Sequence, residues 1–262
     1  MALPLSWAQK RRLVVFLILG ALFLLLIFIV YRGTFYRAPS CTDGVQDGGE
    51  AGVDCGGSCS SLCTTQVQIP VVRFVRVLPS GPNQTDIVAY IDNPNTNAAA
   101  LNAPYTLELY GAHNTLLARK TSTVNLPPHS SVPVFLPRFY TGSTTPTNAF
   151  LTFNQTAIKW LKSTTTPPIL PVSAIQVTTG KTPRITATIT NPTAQPLYDV
   201  KVVILVFGGG IDAANNVLAA SQTVVPMIPA QGTAPLTFTW NEPFAGSPVR
   251  EEVFPLLPLP HS

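Results

Sequence analysis

The run LVVFLILGALFLLLIFIVY, Leu13 to Tyr31, constrains this chain more than any other stretch, because nineteen consecutive residues carry no charge. As an α-helix rising about 1.5 Å per residue, it would cover most of a hydrocarbon core about 30 Å thick. A transmembrane helix is therefore expected over residues 13–31, with 1–12 as a cytoplasmic N-terminus and 32–40 as a juxtamembrane linker. Lys10, Arg11 and Arg12 precede the run and Arg32 and Arg37 follow it, so the charge bias toward a cytoplasmic N-terminus is modest. A cleaved signal peptide has an apolar region of only about 7 to 15 residues and a small-x-small site close behind it, and neither is met here. An uncleaved signal anchor fits better. Lipid attachment at Cys41 is disfavoured, since the preceding RAPS lacks a branched apolar residue three positions before the cysteine. Trp7 and Tyr31 suit the two interfaces. The lipid bilayer is thus the first expected partner, through residues 13–31, with the C-terminal domains outside the cytoplasm.

The rest of the chain is long enough for two ordinary domains. Its 17 Gly and 26 Pro favour short strands and many turns over long helices. Of the 16 Lys and Arg, the five just named flank the apolar run, which leaves eleven against 12 Asp and Glu. That balance offers no basic stripe for nucleic acid, and no nucleic-acid partner is expected.

All four cysteines, Cys41, Cys55, Cys59 and Cys63, fall just beyond the anchor. An even number outside a membrane favours disulfides, and spacing alone leaves all three pairings open. Zinc is the competing reading, but C-x13-C-x3-C-x3-C lacks C-x2-C knuckles and contains no histidine. Asp43, Asp47, Glu50 and Asp54 add four carboxylates on a Gly-rich loop, a ligand type suited to calcium. The EF-hand pattern D-x-[DN]-x-[DN]-G is absent, and acids beside glycines also serve as turn formers. Calcium is the one cofactor these acids suggest; a purely structural role is the alternative. The stretch CTDGVQDGGEAGVDCGGSCSSLC resembles the C-x-DG-x3-G-x-E-x-x-VDCGG-x-C-x(n)-C segment of many secreted and surface-anchored proteins. In bacterial membrane-anchored proteins of similar layout, it follows one N-terminal transmembrane helix and precedes tandem β-sandwich domains with FxLYD-like signatures. The resemblance implies that architecture and no reaction.

Downstream of Cys63 two similar halves follow. VAYIDNPNTNAAALNAPYTLELY matches ITATITNPTAQPLYDVKVVILVF, each with an alternating strand ending at Asn-Pro, at Asn93-Pro94 and Asn191-Pro192. In YTLELY the residues Tyr105, Leu107 and Leu109 share one strand face while Thr106, Glu108 and Tyr110 share the other, the pattern of a sheet with one buried side. LPPHSS and IPAQGT are the paired turns. TLELYGAHNTLLA and VVILVFGGGIDAANNVLA resemble the FxLYD pattern, Leu107-Glu108-Leu109-Tyr110 more closely; the second half departs at Val206-Phe207 and its glycine run. The expected fold is mainly β: two tandem immunoglobulin-like β-sandwiches, residues 66–162 and 169–258, after a disulfide-rich segment at 41–63. Residues 163–168 form a Thr/Pro linker and 259–262 a tail.

No local arrangement builds a catalytic centre, and no catalytic or cofactor-binding residue is assigned beyond the calcium candidates. His113, His129 and His261 fall in turns or the tail; a triad of Ser, His113 and Asp92 has no nucleophile elbow. Gly208 to Gly210 read as a hairpin connection, since Ile211-Asp212 replaces the Lys-Ser/Thr of a phosphate loop. Glu251 and Glu252 point to opposite faces of a strand. Asn83 and Asn154 open NQT acceptor patterns that matter only where glycosylation machinery exists. Trp160 and Trp240 are expected as core or inter-domain aromatics. The chain is expected to act as an extracytoplasmic binding or scaffold protein through noncovalent contacts with an envelope or surface protein. A carbohydrate-binding accessory role is the alternative, with Tyr140, Phe150 and Phe153 as its aromatics.

Overall fold

The computed structural model describes residues 7–35, 40–210 and 216–257. Arg37, Ile211-Asp212, His261 and the tail at 259–262 lie outside them. Helix α1 (Trp7–Phe35) is long and apolar enough to cross a membrane, and its side chains from Trp7 to Thr34 are exposed. It outruns the expected span at both ends, since residues 7–12 and 32–35 contain no proline to stop it. Arg11 lies over the Trp7 ring at 3.9 Å.

Fourteen strands follow among the described residues. After the short β1 (Ser61–Leu62) come β2 (Val71–Gly81), β3 (Gln84–Asn93), β4 (Ala98–Tyr110), β5 (Leu116–Leu126), β6 (Ser130–Thr141), β7 (Asn148–Phe153) and β8 (Trp160–Lys162). The C-terminal half supplies β9 (Val172–Thr178), β10 (Arg184–Thr190), β11 (Leu197–Gly208), β12 (Val217–Ile228), β13 (Thr233–Thr239) and β14 (Pro248–Leu256). Residues 163–168 carry neither helix nor strand.

Two β-sandwiches result. Sheet β2-β3-β6 covers a second sheet in which β4 pairs β5 on one side and β7 and β8 on the other. In the C-terminal half β9-β10-β13 covers β12-β11-β14. Counting six strands from β2 and six from β9, the pairing is the same: first, second and fifth in one sheet, fourth, third and sixth in the other. Tyr105, Leu107 and Leu109 are buried, as their alternation predicts, while Thr106, Glu108 and Tyr110 point outward.

Strand β11 departs from one-sided burial. Val202 through Phe207 are all buried. Val202, Ile204 and Val206 enter the core of the second sandwich. Val203, Leu205 and Phe207 meet Phe74, Leu78, Val88 and Phe135 of the first. A continuous apolar run is what a strand covered on both faces requires. The sandwiches therefore stack as four layers with a third apolar seam between them. Tyr90 sits in this seam, stacked on Phe74 at 5.5 Å and edge-on to Phe254 at 5.6 Å.

The outer face equivalent to the first half's seam is polar in the second. Thr186 stands opposite Thr237 and Thr190 opposite Thr233, with Thr188 and Thr239 beside them. These threonines suit a solvated β surface, and the apolar stacking ends there.

Each sandwich is closed by one buried asparagine. Asn93 Nδ2 lies 2.8, 3.3 and 2.7 Å from the carbonyls of Ala98, Leu126 and Pro127. Its Oδ1 accepts from Asn95 N at 3.1 Å and Asn95 Nδ2 at 2.8 Å. Asn191 repeats this with the carbonyls of Gln195, Ile228 and Pro229 at 2.8, 3.4 and 3.0 Å, and with Thr193 N and Oγ1 as donors at 3.0 and 2.7 Å. The following proline holds the asparagine extended, so its side chain reaches from the end of one sheet to the turn leaving the other.

Two predictions follow from these contacts. Asn93→Ala or Asn191→Ala leaves buried carbonyls without donors, so each should lower unfolding free energy by about 2–4 kcal/mol in urea titration; a loss below about 0.5 kcal/mol would refute the latch. Burial pushes the Tyr90 phenol above its ordinary value of 10.0; Glu252 and Asp92 add to this, against a Ser131 hydrogen bond and Arg250. A raised folded value means the contribution is complete below the unfolded value and lost as pH climbs through the folded one. Urea midpoints measured between about pH 8 and 11 should fall at the alkaline end, and less steeply in Tyr90→Phe; Tyr105, raised by burial too, keeps the remainder.

Candidate functional site

The cysteine segment is a double loop closed by Cys41–Cys59 and Cys55–Cys63. The glycines of VDCGG are demanded by how tightly the loops cross. A Cβ on Gly57, at φ +53, would stand 1.8 Å from the Gly49 carbonyl oxygen, and one on Gly56, at φ +72, 2.6 Å from the Ala51 Cβ.

The four acids serve this crossing individually. Both Asp54 carboxylate oxygens accept from Gly44 N at 3.1 Å, and Asp43 Oδ1 accepts from Val45 N at 3.0 Å. Glu50 is buried; its Oε2 accepts from Asp54 N at 3.1 Å and its Oε1 lies 3.1 Å from Cys59 Sγ. That sulfur is in a disulfide and has no proton to give, so the contact is not a hydrogen bond. Asp47 Oδ1 is enclosed without a partner. Among the described residues, the one cluster of three candidate ligand atoms within 4.8 Å is Cys41, Glu50 and Cys59, whose two sulfurs are bonded to each other. The four carboxylates are not brought to a common point.

The segment is not a free-standing spacer. Ser61 pairs with Leu161 and Leu62 with Trp160, so β1 extends the sheet of the first sandwich through β8. Lys162 N donates to Ser60 O at 2.8 Å and its Nζ to Gly57 O at 2.5 Å. Behind the staple, Asn95 Nδ2 donates to Gln68 O at 2.8 Å and Asn95 Oδ1 accepts from Gln68 N at 2.7 Å. A two-residue strand is too short to leave a periodic signal, which is why sequence reading separates segment from domain.

A second feature lies where the sandwiches meet. A cleft of about 670 Å³ opens between the β2–β3 hairpin at Pro79–Pro82, the end of β6, strand β12 and the segment after β13. Trp240 forms one wall. Its Nε1 donates to Ala220 O at 2.9 Å, and its ring meets Phe244 edge-on at 5.0 Å. Asp86 Oδ1 accepts from Ser80 Oγ at 2.8 Å and Arg138 N at 2.7 Å. Gln222 Oε1 is enclosed without a partner. Four separated segments build this cleft, so no local motif announces it; only Trp240 is singled out by its residue type.

The remaining candidates stay apart. Trp160 is in the core of the first sandwich. Phe153 and Tyr140 pack against that core, whereas Phe150 is exposed on the opposite strand face, edge-on to Tyr110 at 5.9 Å; the three make no row. Beside Phe150, the Glu108 carboxyl is held below its ordinary value chiefly by the Tyr110 hydroxyl, at 2.7 Å, and by Arg119. His113 and His129 are exposed in turns with positive φ. Asp92 is bound by Arg73 and by Ser131 Oγ. Gly208 ends β11, which pairs antiparallel with β12. Glu252 pairs with Arg250, and Glu251 is its half-buried neighbour on β14. Asn83 and Asn154 are exposed.

No protein-family model matches the chain, and no curated protein matches it. Among solved structures, a red sea bream transglutaminase matches with 19% identity and a TM-score of 0.23, over 72% of this chain and 29% of that one. The chain thus spans under a third of that structure's length.

Replacing both Cys55 and Cys63 by Ser opens a loop of 8 residues. Loop entropy sets the expected loss near 2–3 kcal/mol. Urea unfolding should show this, and hydrogen exchange should quicken at Leu161 and Lys162, which pair with the staple; unchanged exchange there would mean that β1 is not held by it.

Proposed function

We propose that this is a membrane-anchored binding or scaffold protein whose N-terminus is cytoplasmic and whose sandwiches stand outside the cell, making noncovalent contacts with an envelope or surface protein. The resemblance of its cysteine segment and of Leu107 to Tyr110 to bacterial anchored proteins with tandem FxLYD-like domains supports this layout, as does the repeated strand pairing of the two halves. Paired cysteines suit an oxidising exterior.

The observation that carries the reading is the free edge of β9. This strand ends the order β13-β10-β9, and no Asp, Glu, Lys or Arg occurs from Ser163 to Gly180. Ile169 is 85% exposed, Ile175 39% and Val177 37%. Unpaired strand edges template pairing with another chain, and proteins ordinarily blunt them with charge. Most other outer strands are blunted by charge or by proline: β2 carries Arg73 and Arg76, β5 Arg119 and Lys120, β14 Arg250, Glu251 and Glu252, and the uncharged β12 and β13 carry Pro226 and Pro235. A bulge at Ala174, with φ 52, interrupts β9 early and leaves 175–178 as its regular part. Strand addition from a partner is the mode such an edge supports.

A photo-crosslinking residue at position 175 in the full chain, irradiated in intact cells, should capture an envelope or surface protein, and Val177→Lys should abolish capture while leaving the thermal transition in place. Capture of cytosolic proteins alone, or capture indifferent to Val177→Lys, would overturn the proposal.

A further inference from the structure

We infer that the cleft between the sandwiches is a binding site for a short neutral oligosaccharide, independently of the β9 edge. Its volume of about 670 Å³ falls within the roughly 300–1,000 Å³ typical of small-molecule sites. Its walls are set by the apolar seam, since Phe135 and Ala220 belong both to that seam and to the cleft lining.

The chemistry of the lining selects the ligand class. Trp240 is half-buried and its orientation is fixed by the bond from Nε1 to Ala220 O, which presents a rigid aromatic surface with Phe244 beside it. An aromatic surface of this kind complements the C–H face of a pyranose ring. Gln222 lines the cleft, and its side-chain amide can both donate and accept. Around it stand Ser80, Gln84, Ser221 and Asn241. These hydroxyls and amides both donate and accept, as sugar hydroxyls do. Charge does not favour an ionic ligand: Asp86 is already engaged by Ser80 and the Arg138 amide, and Glu242 and Arg138 have opposite signs. Nor does the cleft favour a peptide. An added strand needs the outward carbonyls of an edge, and on β12 the Ala220 carbonyl is occupied by Trp240.

The test is calorimetric titration of the full chain in detergent with the tetrasaccharides of β-1,4-glucose, β-1,4-N-acetylglucosamine and α-1,6-mannose, and with tetraproline as the peptide control. At least one sugar should bind saturably, and Gln222→Leu and Trp240→Phe should each weaken it about tenfold or more. Both variants should keep the thermal transition, and Val177→Lys should leave sugar binding unchanged, which separates this site from the β9 edge. No heat from any of the three sugars up to about 10 mM, equal binding by the two cleft variants, or binding of tetraproline alone would overturn the inference.

Discussion

The fold hangs on one interaction made twice: an amide side chain buried at the end of the second strand of each half and shared among three carbonyls. Asn93 and Asn191 are among the few polar side chains fully removed from solvent, and neither carries a charge that burial would penalise. What each holds is a corner. The carbonyls it satisfies belong to the start of the next strand and to the turn between the fourth and fifth strands, so one side chain fixes where the chain crosses from sheet to sheet. Without a cysteine in either sandwich, no covalent bond can take over that role. In the first half the same network runs on through Asn95 to Gln68, linking the crossing to the segment that arrives from the staple.

With the corners fixed, the two halves diverge on one face. In the first, the outward side of β2, β3 and β6 carries Phe74, Tyr90, Val88 and Phe135, and it is covered. In the second, the corresponding side of β10 and β13 carries threonine, and it is not. Stacked repeats need a polar end face to stop further apolar association. The C-terminal sandwich has that property along the stacking direction.

Much of this is legible in the residues. The alternation at Tyr105, Leu107 and Leu109 and the two Asn-Pro steps follow from local rules, and they place strands and crossings correctly. The uninterrupted KVVILVFG of β11 carries the information that this strand is buried twice, but a continuous run states only that both faces are covered, not by what. The union of β1 with β8 is silent in sequence, because two residues define no period and the partners are about a hundred positions apart. The acids beside Cys41 and Cys55 are ambiguous for another reason: a carboxylate that caps a backbone amide and one that ligates an ion look alike until their directions are known. The cleft was out of reach entirely, since its lining assembles only after the sandwiches have stacked.

The bridge between Cys41 and Cys59 also governs distance. Tension arriving from the helix passes through two sulfur atoms and skips the 18-residue stretch between them, then meets the sheet at Ser61. Fully drawn out, such a stretch would span about 60 Å. With the bridge closed, the Cα atoms of Cys41 and Cys59 stand 5.7 Å apart, so helix and sheet are joined by a small fraction of that length. One cystine thus keeps helix α1 and the first sandwich joined by a short length of chain.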